Sequence, residues 1–164
     1  MNYSFQGDNP VQIINVLHVD DEKSHLMLTK HYIEEYAPNI KITSQFSILE
    51  AMNLDLSAYD CILSDYSMPK MTGIDFAAKV KKKTSVPFIL YTGKGSDEIS
   101  AEAYAMGIDS YQRKEPNSSH FNVLANRIKN LVEKNRAVKE LRTSWNTSSE
   151  LIENFPSGLF IYQF

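Results

Sequence analysis

The chain has 164 residues, 43% of them hydrophobic and 23% charged, with a formal net charge of −3. That composition suits a globular protein and excludes a disordered, collagen-like or disulfide-scaffold chain. The near balance of charge gives no global field to draw the chain onto nucleic acid or anionic lipid, so no direct nucleic-acid partner is expected.

The lone cysteine, Cys61, cannot close an internal disulfide and suits a reducing compartment. Residues 1–10 form a polar tail without the basic start and apolar run of a signal peptide. No stretch approaches the ~18 apolar residues of a membrane span, so the expected location is cytoplasmic.

From residue 11 onward, short apolar runs alternate with longer helical stretches. Ile13 to Val19 reads as a buried strand. Ser24 to Ala37 reads as a helix, with Leu26, Thr29, Ile33 and Tyr36 on one side, stopped by Pro38-Asn39. Ile40 to Phe46 alternates like a strand exposed on one face, and Ile48 to Leu56 reads as a short helix. Asp60 to Ser64 is a strand, and Ser67 to Gly73 a loop. Ile74 to Lys83 is a helix whose last turn carries three lysines, where cations suit the macrodipole. Val86 to Tyr91 is a strand, Asp97 to Met106 a helix stopped by Gly107, and Ser110 to Arg113 a short last strand. Asn117 or Ser118 can cap a long final helix.

Strict alternation of five strand–helix units implies a doubly wound α/β fold: a five-stranded parallel sheet covered on both faces. Right-handed crossovers place every strand's C-terminal end on one edge, where such sheets hold their ligands. At those ends stand Asp20-Asp21-Glu22, Asp65, Thr92 and, just beyond the last strand, Lys114. Each has a plainer reading taken alone. Acids favour a helix start, Asp65 can cap a loop, Thr92-Gly93 can form a turn, and an isolated lysine is usually solvated. Together they supply what phosphoryl transfer needs. Crowded carboxylates repel unless a hard cation such as Mg²⁺ compensates them, an ionised aspartate can attack phosphorus, and an ammonium and a hydroxyl can hold the transferred oxygens.

These segments resemble the response-regulator receiver domains of two-component signalling. Val19-Asp20-Asp21-Glu22 is similar to their acidic start, and Asp65-Tyr66-Ser67-Met68-Pro69 followed by Gly73 to their phosphorylation loop. Tyr91-Thr92-Gly93 is similar to their switch threonine step, and Tyr111-Gln112-Arg113-Lys114 to their aromatic and lysine. The resemblance covers roughly residues 11–134 and implies a flavodoxin-like strand order, 2-1-3-4-5. It also implies that Asp65 accepts a phosphoryl group from a histidine kinase. Mg²⁺ would be held by Asp20, Asp21, Asp65 and the backbone carbonyl of Ser67. Thr92 and Lys114 would bind the phosphoryl oxygens, and Thr92 and Tyr111 would act as a switch pair. One departure stands out: Glu115 separates Lys114 from Pro116, where the family usually has proline directly after the lysine. No kinase ATP site is visible. Two rivals remain: a docking module that kept the fold without phosphorylation, and an Asp-nucleophile phosphatase. The second class typically has another Asp two residues after the nucleophile, where this chain has Ser67.

His18, His25, His31 and His120 have no metal-ligand spacing and read as structural, as does Cys61. Phe121, Leu124, Ile128 and Leu131 follow helical spacing, and the seam continues through Asn135, Val138, Arg142 and Trp145. A linker or signalling helix over residues 135–147, pairing as a homodimer, is the expectation. Residues 148–164 resemble the opening of a PAS sensor domain: a helix end, a turn and an apolar strand. A longer natural chain is expected from it.

Overall fold

A computed structural model of the chain describes residues 10–153. Five strands alternate with helices: β1 (Ile14–Val19), α1 (Lys23–Tyr36), β2 (Ile40–Gln45), α2 (Ile48–Met52), β3 (Cys61–Ser64), α3 (Gly73–Lys83), β4 (Phe88–Thr92), α4 (Asp97–Ala105), β5 (Ser110–Arg113) and α5 (His120–Glu153). All pairings are parallel, in the order β2-β1-β3-β4-β5. The doubly wound sheet and its strand order are therefore as expected.

The sheet is apolar on both faces because helices cover both. Every residue of β3 and β4 is buried. One core layer holds Ile14, Val16, Leu63, Ile89 and Tyr91 against Ile33 of α1 and Leu124 and Ile128 of α5. The other holds Leu17, Val19, Ile62, Phe88 and Leu90 against Ile48, Phe76, Val80 and Ala103. The helix starts follow local chemistry. Ser47 and Ser96 accept from the backbone N–H groups of Glu50 and Ile99, and Thr72 and Asp75 form a reciprocal capping box.

Most element bounds fall within two residues of expectation, and the end of α2 departs furthest. The helix expected to reach Leu56 ends at Met52, and a 3₁₀ turn at Leu56–Ala58 follows. The cause is Asp55, whose carboxylate accepts from Ser57 and restarts the chain as a turn that buries Leu56. The final helix begins at His120, after a turn in which Phe121 N–H bonds Ser118 O and Asn122 N–H bonds Ser119 O.

The chain divides into two units, the second beginning at Glu133. In the first, Phe121, Leu124, Ala125, Ile128 and Val132 of α5 are buried. In the second, the helix continues to Glu153, and Val138, Leu141, Trp145 and Leu151 are exposed. The strand expected within the PAS-like stretch lies outside the described residues. No helix among the described residues is long and apolar enough to cross a membrane.

Candidate phosphoacceptor site

The site begins with strand adjacency. β1 lies between β2 and β3, so the residues that follow Val19 and Ser64 emerge side by side. Asp20 N–H bonds Gln45 O at 3.1 Å, and Asp65 N–H bonds Val19 O at 3.0 Å. Asp20 is fully buried, and its Oδ1 accepts from Glu22 N–H at 2.9 Å, which bends the chain into α1. Asp20, Asp21 and Asp65 each present a carboxylate oxygen, all within 4.8 Å of one another. The sequence expectation that these three converge is met in the geometry.

The loop after Asp65 folds back tightly. Gly73 N–H bonds Tyr66 O at 2.8 Å, and a Cβ at residue 73 would strike the backbone carbonyl of Asp65 and the side chain of Leu90. Only glycine permits that approach. Lys70 takes a left-handed φ of 70°, a conformation non-glycine residues rarely adopt.

Lys114 enters from the β5 end, positioned by its backbone N–H bond to Thr92 O at 2.9 Å. Its ammonium lies 2.5 Å from Asp20 Oδ2 and 3.6 Å from Asp65 Oδ1. It also lies 3.0 Å from His25 Nδ1 and 5.5 Å from the centroid of the Tyr91 ring. Its side chain is only 11% exposed, so these contacts act with little solvent screening. Every peptide bond among the described residues is trans, including the one before Pro116.

Thr92 ends β4 and is buried, with its hydroxyl accepting from Lys94 N–H at 3.2 Å. Tyr111 packs against the core layer that holds Phe88 and Leu90. Its hydroxyl is buried beneath Gly95 without a hydrogen-bond partner among the described residues, and burial pushes the phenol up. The hydroxyl of Ser67 lies 3.4 Å from Lys94 Nζ.

Asp65 Oδ1 is buried and accepts no hydrogen bond among the described residues. An all-oxygen donor set with an unsatisfied acceptor fits a hard divalent cation. Sequence reasoning missed His25, whose Nδ1 lies 3.5 Å from Asp20 and 3.3 Å from Glu22. The only signal was its place three residues after Glu22, in the first turn of α1, so that the two side chains share a face. Tyr91 and His120 were not read as site residues, yet the Tyr91 ring faces the Lys114 ammonium and its hydroxyl bonds His120.

Comparison with known proteins agrees with this geometry. Residues 16–129 match the sequence profile described as the response regulator receiver domain. The chain is 28% identical over 131 residues to the cyclic di-GMP phosphodiesterase response regulator RpfG of Xanthomonas campestris, covering 77% of this chain and 35% of that protein. It is 35% identical over 97 residues to the transcriptional regulatory protein SrrA of Staphylococcus aureus, covering 58% of this chain and 39% of that one. The chain thus spans little more than a third of these relatives. The receiver domain of Francisella response regulator 1452 superposes with a TM-score of 0.66 at 28% identity, over 74% of this chain and 98% of that one. With a profile match across most of its length and a receiver structure superposed on its sheet, the chain belongs to the response regulator receiver domain family.

Proposed function

We propose that Asp65 is the phosphoacceptor of this receiver and that the residues around it carry out the transfer. Receiver domains take a phosphoryl group from histidine kinases, and the arrangement here supports that role residue by residue. An Asp65 carboxylate oxygen attacks phosphorus, an O–P bond forms, and the P–N bond to the donor imidazole breaks with its electron pair left on nitrogen. Lys114 and the Thr92 hydroxyl hold the transferred oxygens as charge shifts onto them. Mg²⁺, bound by Asp20, Asp21, Asp65 and the Ser67 carbonyl, would supply positive charge opposite the phosphoryl oxygens. After transfer, Thr92 turns toward the phosphoryl group and Tyr111 settles further inward, a shift between two packings.

The observation that carries this reading is the buried Asp65 Oδ1, which accepts no hydrogen bond among the described residues and lies beside two other acids and 3.6 Å from Lys114. Incubation with Mg²⁺ and acetyl phosphate should give one phosphoryl adduct by intact mass, absent in Asp65→Asn. Labelling that survives the substitution removes the assignment. Sustained hydrolysis of phosphomonoesters would favour the phosphatase, and a protein that takes no label under any donor would favour the docking module.

The receiver would report to a longer signalling chain through α5. Exposed Val138, Leu141 and Trp145 support the pairing of residues 135–147 between two copies, with 148–164 as the start of a PAS-like domain. Sedimentation should show a dimer that Leu141→Lys and Trp145→Lys together dissociate. A monomer at all concentrations, phosphorylated or not, excludes the pairing.

A further inference from the structure

The loop that carries Lys114 into the site runs to Ser119, and Glu115 pushes its proline one place away from the lysine. A different device holds it. His120 is 6% exposed and spends both ring nitrogens. Its Nδ1 lies 2.5 Å from Asn117 O, and its Nε2 lies 2.6 Å from the Tyr91 hydroxyl. A carbonyl oxygen only accepts, so Nδ1 carries the proton, and in the neutral ring Nε2 then accepts from Tyr91. The donors therefore run in one direction: Tyr91 to His120, and His120 to Asn117.

That chain crosses the elements that must stay in register around Lys114. Tyr91 directly precedes Thr92 on β4, and its ring faces the Lys114 ammonium at 5.5 Å. The ring is 2% exposed and stacks on His120 at 5.9 Å between centroids. The His120 ring also lies 4.0 Å from that of Phe121, which stacks on Tyr32 of α1 at 5.0 Å. Gln112 of β5 donates to His120 O at 3.4 Å. The imidazole thus fixes the loop at Asn117 on one side and the strand bearing Thr92 on the other.

We propose that His120 and Tyr91 form a clasp that positions Lys114 for the phosphoryl oxygens, in place of a proline directly after the lysine. The proposal rests on the phosphoacceptor reading, because positioning has meaning only if Lys114 meets those oxygens. His120 touches no reacting atom and acts through the loop. Loss of the clasp leaves the ammonium chemically intact but free to sample positions away from the site, so the cost falls on transfer rate.

The test combines kinetics with hydrogen exchange. Rates of phosphorylation by acetyl phosphate are measured for Tyr91→Phe and His120→Ala, each with Lys114 present and in the Lys114→Ala background. Tyr91→Phe keeps the ring and the core packing while removing the hydroxyl, so it stands if His120→Ala fails to fold. Tyr91→Phe is expected to slow transfer about tenfold with Lys114 present and to have no further effect in Lys114→Ala, because coupled residues are non-additive. His120→Gln, which can still reach the tyrosine hydroxyl, should recover part of the rate. Amide exchange at Phe121 and Asn122 should quicken in Tyr91→Phe. A loss of rate of the same factor in both backgrounds, or unchanged exchange, overturns the clasp. The exchange experiment needs no phosphorylation. If the native protein takes no label, the phosphoacceptor reading fails by itself, and exchange still decides whether the loop is clasped.

Discussion

Lys114→Ala is expected to slow phosphorylation of Asp65 by about a hundredfold or more, the usual result of removing one donor aimed at developing charge. The same substitution has a second, opposite-facing consequence. Lys114 is the close cation for Asp20, which is fully buried, and the one at 3.6 Å from Asp65. Breaking one side of a buried ion pair leaves a charge without compensation and costs about 3–5 kcal/mol. In the absence of divalent cation, Lys114→Ala should therefore unfold at lower urea than the native protein.

Mg²⁺ should reverse much of that loss. A ligand that binds only the folded state stabilises it in proportion to the logarithm of its concentration over Kd. Removing the ammonium removes a competitor for the same carboxylates, so the variant should bind Mg²⁺ more tightly and gain more from it. Urea denaturation with and without Mg²⁺, together with the phosphorylation rate, separates the two effects. A variant that keeps the native rate, or that gains no extra stability from Mg²⁺, would show that Lys114 is not in electrostatic contact with the acids.

A large dependence of stability on acid is expected from His18. It stands in β1 with no exposed surface and with neither ring nitrogen hydrogen-bonded among the described residues. Burial, then the positive charges of Lys114 and His25, lowers its pKa from 6.5 to about 3. The folded-state value is depressed, so between those two limits the unfolded chain binds a proton that the folded chain does not. Stability from this residue is complete above about pH 6.5 and is lost as pH falls toward 3. The slope approaches roughly 1.4 kcal/mol per pH unit in that window.

His18→Met should flatten this part of the curve and, by removing two unsatisfied polar atoms, raise stability near neutrality by about 1 kcal/mol. Urea melts of both proteins at neutral and mildly acid pH measure it. Equal acid losses in the two proteins would place the titrating group elsewhere.

The strands, the helices and the acid, hydroxyl and lysine positions were legible because each rests on local pattern. Apolar runs such as Cys61-Ile62-Leu63 leave few alternatives to a buried strand, and Asp65 and Thr92 fall at strand ends. Once the parallel order is inferred, those ends must meet, so Asp20, Asp21, Asp65 and Lys114 converge as expected. The truncated α2 was less legible. Leu54 and Leu56 carry its apolar spacing onward, and the decision belongs to the Asp55 carboxylate, which accepts from the Ser57 N–H and hydroxyl. His25, Tyr91 and His120 were invisible as site residues for a different reason. Each has the residue type and spacing of an ordinary helix or strand position, and only the tertiary contacts reveal that His25 and Tyr91 meet one ammonium while His120 holds Tyr91. His18 shows the same limit. A histidine within an apolar strand gives no sign that its nitrogens will lack partners.

Reductive trapping of the acyl phosphate followed by peptide mapping asks where the phosphoryl group goes. After incubation with Mg²⁺ and acetyl phosphate, borohydride should convert a single aspartate, Asp65, and leave every other acid unchanged. Conversion at Asp20 or Asp21 with Asp65 untouched, or a phosphoryl group found on a histidine or serine, would contradict the assignment of Asp65 as the acceptor.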